Sequence, residues 1–167
     1  FLDIPIDYYI KVNMEGFKDI VDAVGGITVN NSLAFSQGGY HFTKGMNNLD
    51  GNAALAYVRM RKEDPSGDFG RQQRQRQIIQ GVIQKGMSIN SLTNYGDVLD
   101  ALGKNVRTNL TFDEMKNIQK NYKAASGSIE QSTIEGTGQM INGVWYLIVS
   151  PSEKQRIQTD LKTHLEL

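Results

Sequence analysis

Residues 16–30 read GFKDIVDAVGGITVN, and this stretch decides the fold class. Phe17, Ile20, Val21 and Val24 recur three and four positions apart, the spacing of one apolar face on a helix over 14–24. Gly25-Gly26 stops that helix, and the β-branched run Ile27-Thr28-Val29 reads as a strand. Upstream, residues 6–12 are aromatic and β-branched, which predicts another strand. Downstream, residues 30–49 read as an irregular loop with a strand at 40–42. Asp50 can cap an Ala- and Leu-rich helix over 51–57, residues 57–61 and a polar loop over 62–67 follow, and the spacing predicts a long helix over 69–87 with Asp68 at its N-cap. Further elements follow: a helix over 91–102, a strand at 106–108, a helix over 112–124 capped by Thr111, and a strand at 132–134. Asn142-Gly143 is a two-residue hairpin signal between 139–141 and 144–149, and Pro151-Ser152 opens a last amphipathic helix. Helices and strands alternate, so the expectation is an α/β fold: one mixed β-sheet flanked by helices on both faces, an α/β/α sandwich, in a single domain over 1–167. The chain opens Phe1-Leu2-Asp3 without Met and runs straight into a strand pattern, which reads as a domain lacking its N-terminal part.

The chain has 167 residues, 39% hydrophobic and 22% charged, enough apolar material for a packed core. Eighteen Lys and Arg balance eighteen Asp and Glu, so no basic excess marks a general polyanion or nucleic-acid binder. There is no cysteine, which excludes disulfides, thiolate catalysis and Cys-based zinc sites. Two isolated histidines, His41 and His164, make no metal cluster. No apolar run reaches the roughly 18–20 residues of a membrane span.

The chemistry concentrates at 57–76, YVRMRKEDPSGDFGRQQRQR, where five Arg and one Lys stand against three acids between Arg59 and Arg76. A solvated helix face is the ordinary reading of such a run. Two points argue for more. At about 100° per residue, Arg71, Gln75, Ile78 and Val82 share one stripe, and its lower half, with Ile79, is apolar. Arg71 and Gln75 are therefore expected to point inward, Gln73 and Arg76 outward. If 57–61 is extended, Arg59 and Arg61 share one face. A guanidinium turned inward requires an anion, and Arg forks match phosphate oxygens while a helix N-terminus adds amide donors. Asp68 reads either as a structural cap or as a carboxylate that orients Arg or accepts a proton.

The order GFKDIVDAVGGITVN, then LDGNAALAYVRMRKEDPSGDFGRQQRQRQII at 49–79, resembles the extracytoplasmic catalytic domain of the LytR–CpsA–Psr family. The likeness lies in a Gly-Gly-Ile turn, an Arg-x-Arg pair, an Asp-Phe-x-Arg and an Arg-Gln, all within residues 1–90. The resemblance implies a phosphotransferase that moves an anionic glycopolymer, such as wall teichoic acid or capsular polysaccharide, from a polyprenyl-pyrophosphate carrier to peptidoglycan. It implies a location on the extracytoplasmic face of a Gram-positive membrane, with an anchor outside this chain. Carried over by position, it implies Arg59, Arg61, Arg71 and Gln75 at the pyrophosphate with Arg74 as a weaker match, and Asp68 and Arg71 as the catalytic pair. It also implies Mg2+, held by carboxylates N-terminal to residue 1, so that no metal ligand is expected here and the piece alone is expected to be inactive. A long isoprenoid would need an apolar tunnel, for which Phe17, Ile20, Val24, Ile79 and Ile83 are candidate walls as well as ordinary core.

Two other functions fit parts of the pattern. The same Arg pocket could hold polyprenyl phosphate without transferring it. A DNA-binding regulator would need an outward basic face on the 69–87 helix, whereas the inward stripe carries its Arg. Trp145 and Tyr146 read as core and edge packing, and Gly136-Thr137-Gly138 as a turn or strand edge.

Overall fold

The structure, a computed structural model, describes residues 1–88, 103, 105–127 and 129–167; the helix expected over 91–102 lies outside them. The described chain divides into two compact units, Tyr8–Ile129 and the terminal segments Phe1–Asp7 with Glu130–Leu167.

In the larger unit the elements run β1 (Ile10–Val12), α1 (Met14–Ala23), β2 (Ile27–Asn31), β3 (Phe35–Gln37), β4 (Tyr40–Phe42) and β5 (Gly45–Leu49). They continue through α2 (Gly51–Arg59), α3 (Gly67–Ser88), β6 (Val106–Thr108), α4 (Phe112–Asn121) and a 3-10 turn, Lys123–Gly127. Asn13 caps α1 by accepting the Gly16 N–H at 2.8 Å. Gly25 and Gly26 then take φ of 76° and 79°, conformations that only glycine adopts without strain, so the predicted stop is real. Asp50 caps α2 by accepting the Ala53 N–H at 2.8 Å. Gly51 lets α2 start against the Lys18 carbonyl of α1, where an added Cβ would come within 2.5 Å.

The α/β class holds, but among the described residues the strands do not join into the one mixed sheet expected. The described strands make four separate two-stranded ladders, all antiparallel: β1 with β6, β2 with β5, β3 with β4, and a hairpin in the smaller unit. Part of the reason lies in residues 30–49, which hold the expected strand β4 and, in place of loop, β3 and β5. Strands then follow one another without an intervening helix, and short links enforce antiparallel neighbours rather than parallel crossovers. Gly38 and Gly39, at φ of 58° and 84°, close the β3–β4 hairpin. The Asn residues that made β5 read as loop are satisfied locally: Asn47 donates to the Thr43 and Gly45 carbonyls, and Thr28 donates to Asn48 across the ladder at 2.7 Å.

The core sits between β2–β5, the β3–β4 hairpin and α2. Ile27, Val29, Leu49, Phe35 and Phe42 are buried together with almost every side chain of α2. The Phe35, Phe42 and Tyr57 rings form a triangle with centroids 4.8, 5.5 and 5.3 Å apart, each pair adding about 0.5–1.5 kcal/mol beyond the area it buries. Ile78 brings α3 onto this cluster.

The smaller unit holds the hairpin β7 (Thr137–Ile141) and β8 (Val144–Ile148) and the helix α5 (Pro151–His164). Asn142 and Gly143 turn it with φ of 51° and 79°, as their sequence predicts. Residues 132–134 form no ladder, because side chains of α5 take the neighbouring backbone groups: Arg156 donates to the Thr133 carbonyl and Glu153 accepts the Glu135 N–H. Arg156 also donates to both Glu153 carboxylate oxygens at 2.7 Å, and these bonds, with the Glu135 N–H, hold the Glu153 carboxyl down to about 2. Trp145 and Tyr146 are not core: they are 56% and 47% exposed, and Ile157 is the buried residue of α5. Among the described residues no helix is long and apolar enough to cross a membrane.

Candidate functional site

Residues 57–61 are not a strand. The helix α2 continues to Arg59, and Met60 breaks it with an extended backbone, φ −61° and ψ 132°. Met60 is nevertheless fully buried, which pins the point where the chain leaves the helix. The next residues form a tight turn built on Asp64. Its carboxylate accepts the Ser66 N–H at 2.7 Å and its carbonyl accepts the Gly67 N–H at 2.9 Å. Consequently α3 begins at Gly67, and Asp68 lies inside its first turn rather than at the N-cap. A carboxylate there still meets the positive end of the helix.

Arg59 and Arg61 thus converge by a different route from the one expected: a helix C-terminus and a turn place both on one cleft of about 730 Å3, with Lys62, Glu63, Asp68 and Gln37 of β3. Arg71 does not itself line the cleft but pairs with Asp68, which does, its Nη2 lying 2.5 Å from Asp68 Oδ1. Arg61 Nε stands 4.0 Å from that oxygen on the other side, and Gln72 donates to Asp68 Oδ2 at 3.3 Å. One carboxylate therefore sits between guanidinium groups from two separate backbone segments. These groups are partly exposed, so their mutual pairing contributes little to stability and leaves N–H donors free to face a guest.

Gln75 and Arg74 depart from expectation. Gln75 is exposed and does not line the cleft. Arg74 is the inward guanidinium, 5% exposed. Nη1 donates to Asp64 Oδ2 at 2.5 Å and Nη2 to the Met60 carbonyl at 2.6 Å, with the guanidinium 5.5 Å from the Phe35 ring centroid. Burial alone would push the Asp64 carboxyl up, but the hydrogen bonds from Arg74 and Ser66 and the Arg74 charge hold it below its ordinary value. The displacement of the stripe has a geometric cause. With Arg71 at 0°, Ile78 and Val82 lie near −20° and +20°, and Ile79 near +80°, by the roughly 100° step. Counting Ile79 as core centred the stripe on Arg71 and Gln75. Ile79 is in fact 56% exposed, and the buried direction runs through Gly70, Arg74 and Ile78. Phe17 and Val24 pack on the core, whereas Ile79 and Ile83 face solvent.

What the sequence did not reveal is the role of Asp64, whose turn, five residues after Arg59, organises the site. The Asp-Pro-Ser-Gly string was its only signal. As for metal, no group of three or more His, Cys, Asp or Glu comes together among the described residues. The cleft offers Glu63, Asp64 and Asp68, but Asp64 is engaged by Arg74 and Asp68 by Arg71. The residues present do not make a magnesium site.

The α/β scaffold collects arginines from a helix end, a turn and a helix start around one recess, and guanidinium donors so placed suit anions of the phosphate type. The comparisons carry this to a family: the chain belongs to the LytR_cpsA_psr family, whose model matches residues 1–163, across both units. A curated relative from Bacillus anthracis, named polyisoprenyl-teichoic acid–peptidoglycan teichoic acid transferase TagU, is 58% identical over 168 aligned positions, covering 100% of this chain and 55% of its own length. The chain thus spans about half the length of the curated relatives it matches. The crystal structure of Bacillus subtilis TagU superposes with a TM-score of 0.76 at 51% identity, covering 100% of this chain and 68% of that one. An Enterococcus faecalis crystal structure described as a transcriptional regulator superposes at 0.91 with 42% identity, covering 99% of this chain and 62% of that one.

Proposed function

We propose that this chain supplies the arginine half of a polyprenyl-pyrophosphate-dependent transferase that joins an anionic glycopolymer, of the wall teichoic acid class, to peptidoglycan. The single observation that carries the proposal is the convergence of Arg59, Arg61 and the Asp68–Arg71 pair on one cleft. The name of the TagU relatives supplies the substrate class. In the reaction an acceptor hydroxyl oxygen attacks the phosphorus that carries the polymer. The bond from that phosphorus to the bridging oxygen breaks, and polyprenyl phosphate leaves. Arg59, Arg61 and Arg71 stabilise the charge that builds on the departing phosphate. Asp68 holds Arg71 and Arg61 toward the recess and is the carboxylate we assign to take the hydroxyl proton. Such substrates meet on the outer face of a Gram-positive membrane, which is where we place the protein. Magnesium would neutralise pyrophosphate charge in such a reaction; its ligands are not formed by this cleft, and no step above depends on it.

A DNA-binding role, suggested by the description of the Enterococcus faecalis structure, fits the geometry less well. The solvent face of α3 carries exposed Phe69, Ile79 and Ile83, and its central arginine is buried, so it offers no basic stripe to a groove. The test is transfer of lipid-linked polymer to peptidoglycan by a full-length protein carrying this domain. Arg59→Ala and Arg71→Ala should each reduce turnover by roughly a hundredfold or more while leaving the circular dichroism spectrum unchanged. Turnover that survives both substitutions contradicts the assignment.

A further inference from the structure

We infer that Arg74 is a positioning residue: by gripping Asp64 and the Met60 carbonyl it fixes the turn that aims Arg61 into the cleft, and it does not itself contact the pyrophosphate. The inference rests on reading that cleft as an anion site, and adds to it a device that no motif match assigns.

Four observations carry it. First, both ends of the pair are buried, with side-chain exposures of 7% and 8%. A cation so enclosed needs its partners permanently, and Arg74 spends both terminal nitrogens, one on Asp64 Oδ2 and one on the Met60 carbonyl. Second, those two partners bracket Arg61. Met60 precedes it, and Asp64 closes the turn behind it through the Ser66 and Gly67 amides. Third, α3 is shaped to admit the contact. A Cβ at Gly70, one turn before Arg74, would overlap the Asp64 carboxylate. A glycine inside a helix is otherwise unfavourable relative to alanine, so its use here makes room for the grip. Fourth, Arg74 and Asp68 stand on the same helix, two turns or less apart. The helix that carries Asp68 and Arg71 therefore also holds the turn that carries Arg61, and the spacing of the two arms of the cleft is set by one rigid element.

The fork geometry explains why the residue is arginine. A lysine could reach Asp64 or the carbonyl as a point charge but could not hold both in one plane. Freed from Asp64, Arg74 would be one more cation beside the cleft, and this gives the test its sign.

Inorganic pyrophosphate is titrated into the folded chain and into Asp64→Asn and Arg74→Lys, well below each melting temperature, and amide exchange of Ser66 and Gly67 is followed by NMR. Each variant should weaken binding roughly tenfold, the size expected for losing one charge-assisted arrangement. The double variant should be no weaker than the worse single, because both break one grip. Exchange at Ser66 and Gly67 should quicken in both. Binding in Asp64→Asn that is unchanged or tighter would make Arg74 a direct ligand and overturn the inference. A lower melting temperature with unchanged affinity and unchanged exchange at the turn would make the pair merely structural and overturn it too. If wild-type chain binds no pyrophosphate, the anion reading of the cleft fails; the grip is then judged by exchange alone, and protection unaltered in both variants refutes it. Should a single variant fail to fold, Arg74→Met with Asp64→Leu replaces the pair by apolar packing; that protein should fold yet keep the weakened binding and fast exchange, and wild-type affinity in it would overturn the inference.

Discussion

Gly70 and Tyr57 show how single residues set the interior around the site. Replacing Gly70 by alanine should gain about 1 kcal/mol of helix propensity, but the new methyl would collide with the Asp64 carboxylate. A net loss of about 1–3 kcal/mol is expected, measured as a lower urea midpoint; a midpoint that rises would show that the turn yields freely. Tyr57 is 1% exposed and donates to Gln77 Oε1 at 2.9 Å and Asn31 Oδ1 at 3.3 Å. Burial pushes its phenol up to about 12, with the nearby Arg74 charge opposing. The folded value lies above the ordinary one, so the buried neutral phenol contributes stability in full below the ordinary phenol range, and that contribution fades as pH rises through about 12. In an absorbance titration of the seven tyrosines, the last step should fall near 12 and coincide with loss of near-ultraviolet dichroism; seven steps at ordinary phenol values would contradict the burial. At this scale the helical stripe turned Arg71 and Gln75 inward, whereas the structure buries Arg74 and leaves Gln75 exposed. The difference depended on whether Ile79 was core, and an isoleucine's exposure is decided by what lies opposite it.

Elements were most legible where caps and turns act locally. Asp50, Asn142-Gly143 and the Thr111 cap each follow from the chemistry of one or two side chains, and each is found. The strands β3 and β5 were not legible, because their Asn, Ser and Gln side chains are satisfied by cross-strand and turn bonds that exist only after folding. Likewise, residues 57–61 have strand-like composition, yet α2 persists to Arg59 because its Ala and Val side chains are buried on every side. By contrast, α4 buries none of its residues, so its caps carry more weight. Thr111 accepts the Glu114 N–H and Glu114 returns the bond to the Thr111 N–H at 2.7 Å, a reciprocal box. Thr111→Ala should cost about 1 kcal/mol and speed amide exchange through the first turn of α4, leaving α2 untouched; unaltered exchange there would mean that packing, not capping, holds the helix.

At the scale of the whole molecule, a charge-balanced chain of zero formal net charge gathers five of its seven arginines between Arg59 and Arg76, where α2 ends and α3 begins. The class of the fold and the location of that place were readable because the 57–76 segment concentrates charge and turn residues. The separation of the strands into four ladders was not, since pairing partners such as Ile10 and Thr108 lie far apart in sequence and no local pattern specifies them. The recess is lined by Arg59, Arg61 and Lys62 against Glu63, Asp64 and Asp68, and its positive sign comes from Arg71 and Arg74 of α3, which pair with Asp68 and Asp64. Calorimetric titration of inorganic pyrophosphate into the folded chain at low ionic strength, wild type against Arg61→Ala and Arg71→Ala, tests this most directly. The account predicts one binding site, weakened roughly tenfold or more by either substitution and by rising salt; no binding by the wild type, or equal affinity in all three proteins, would contradict it.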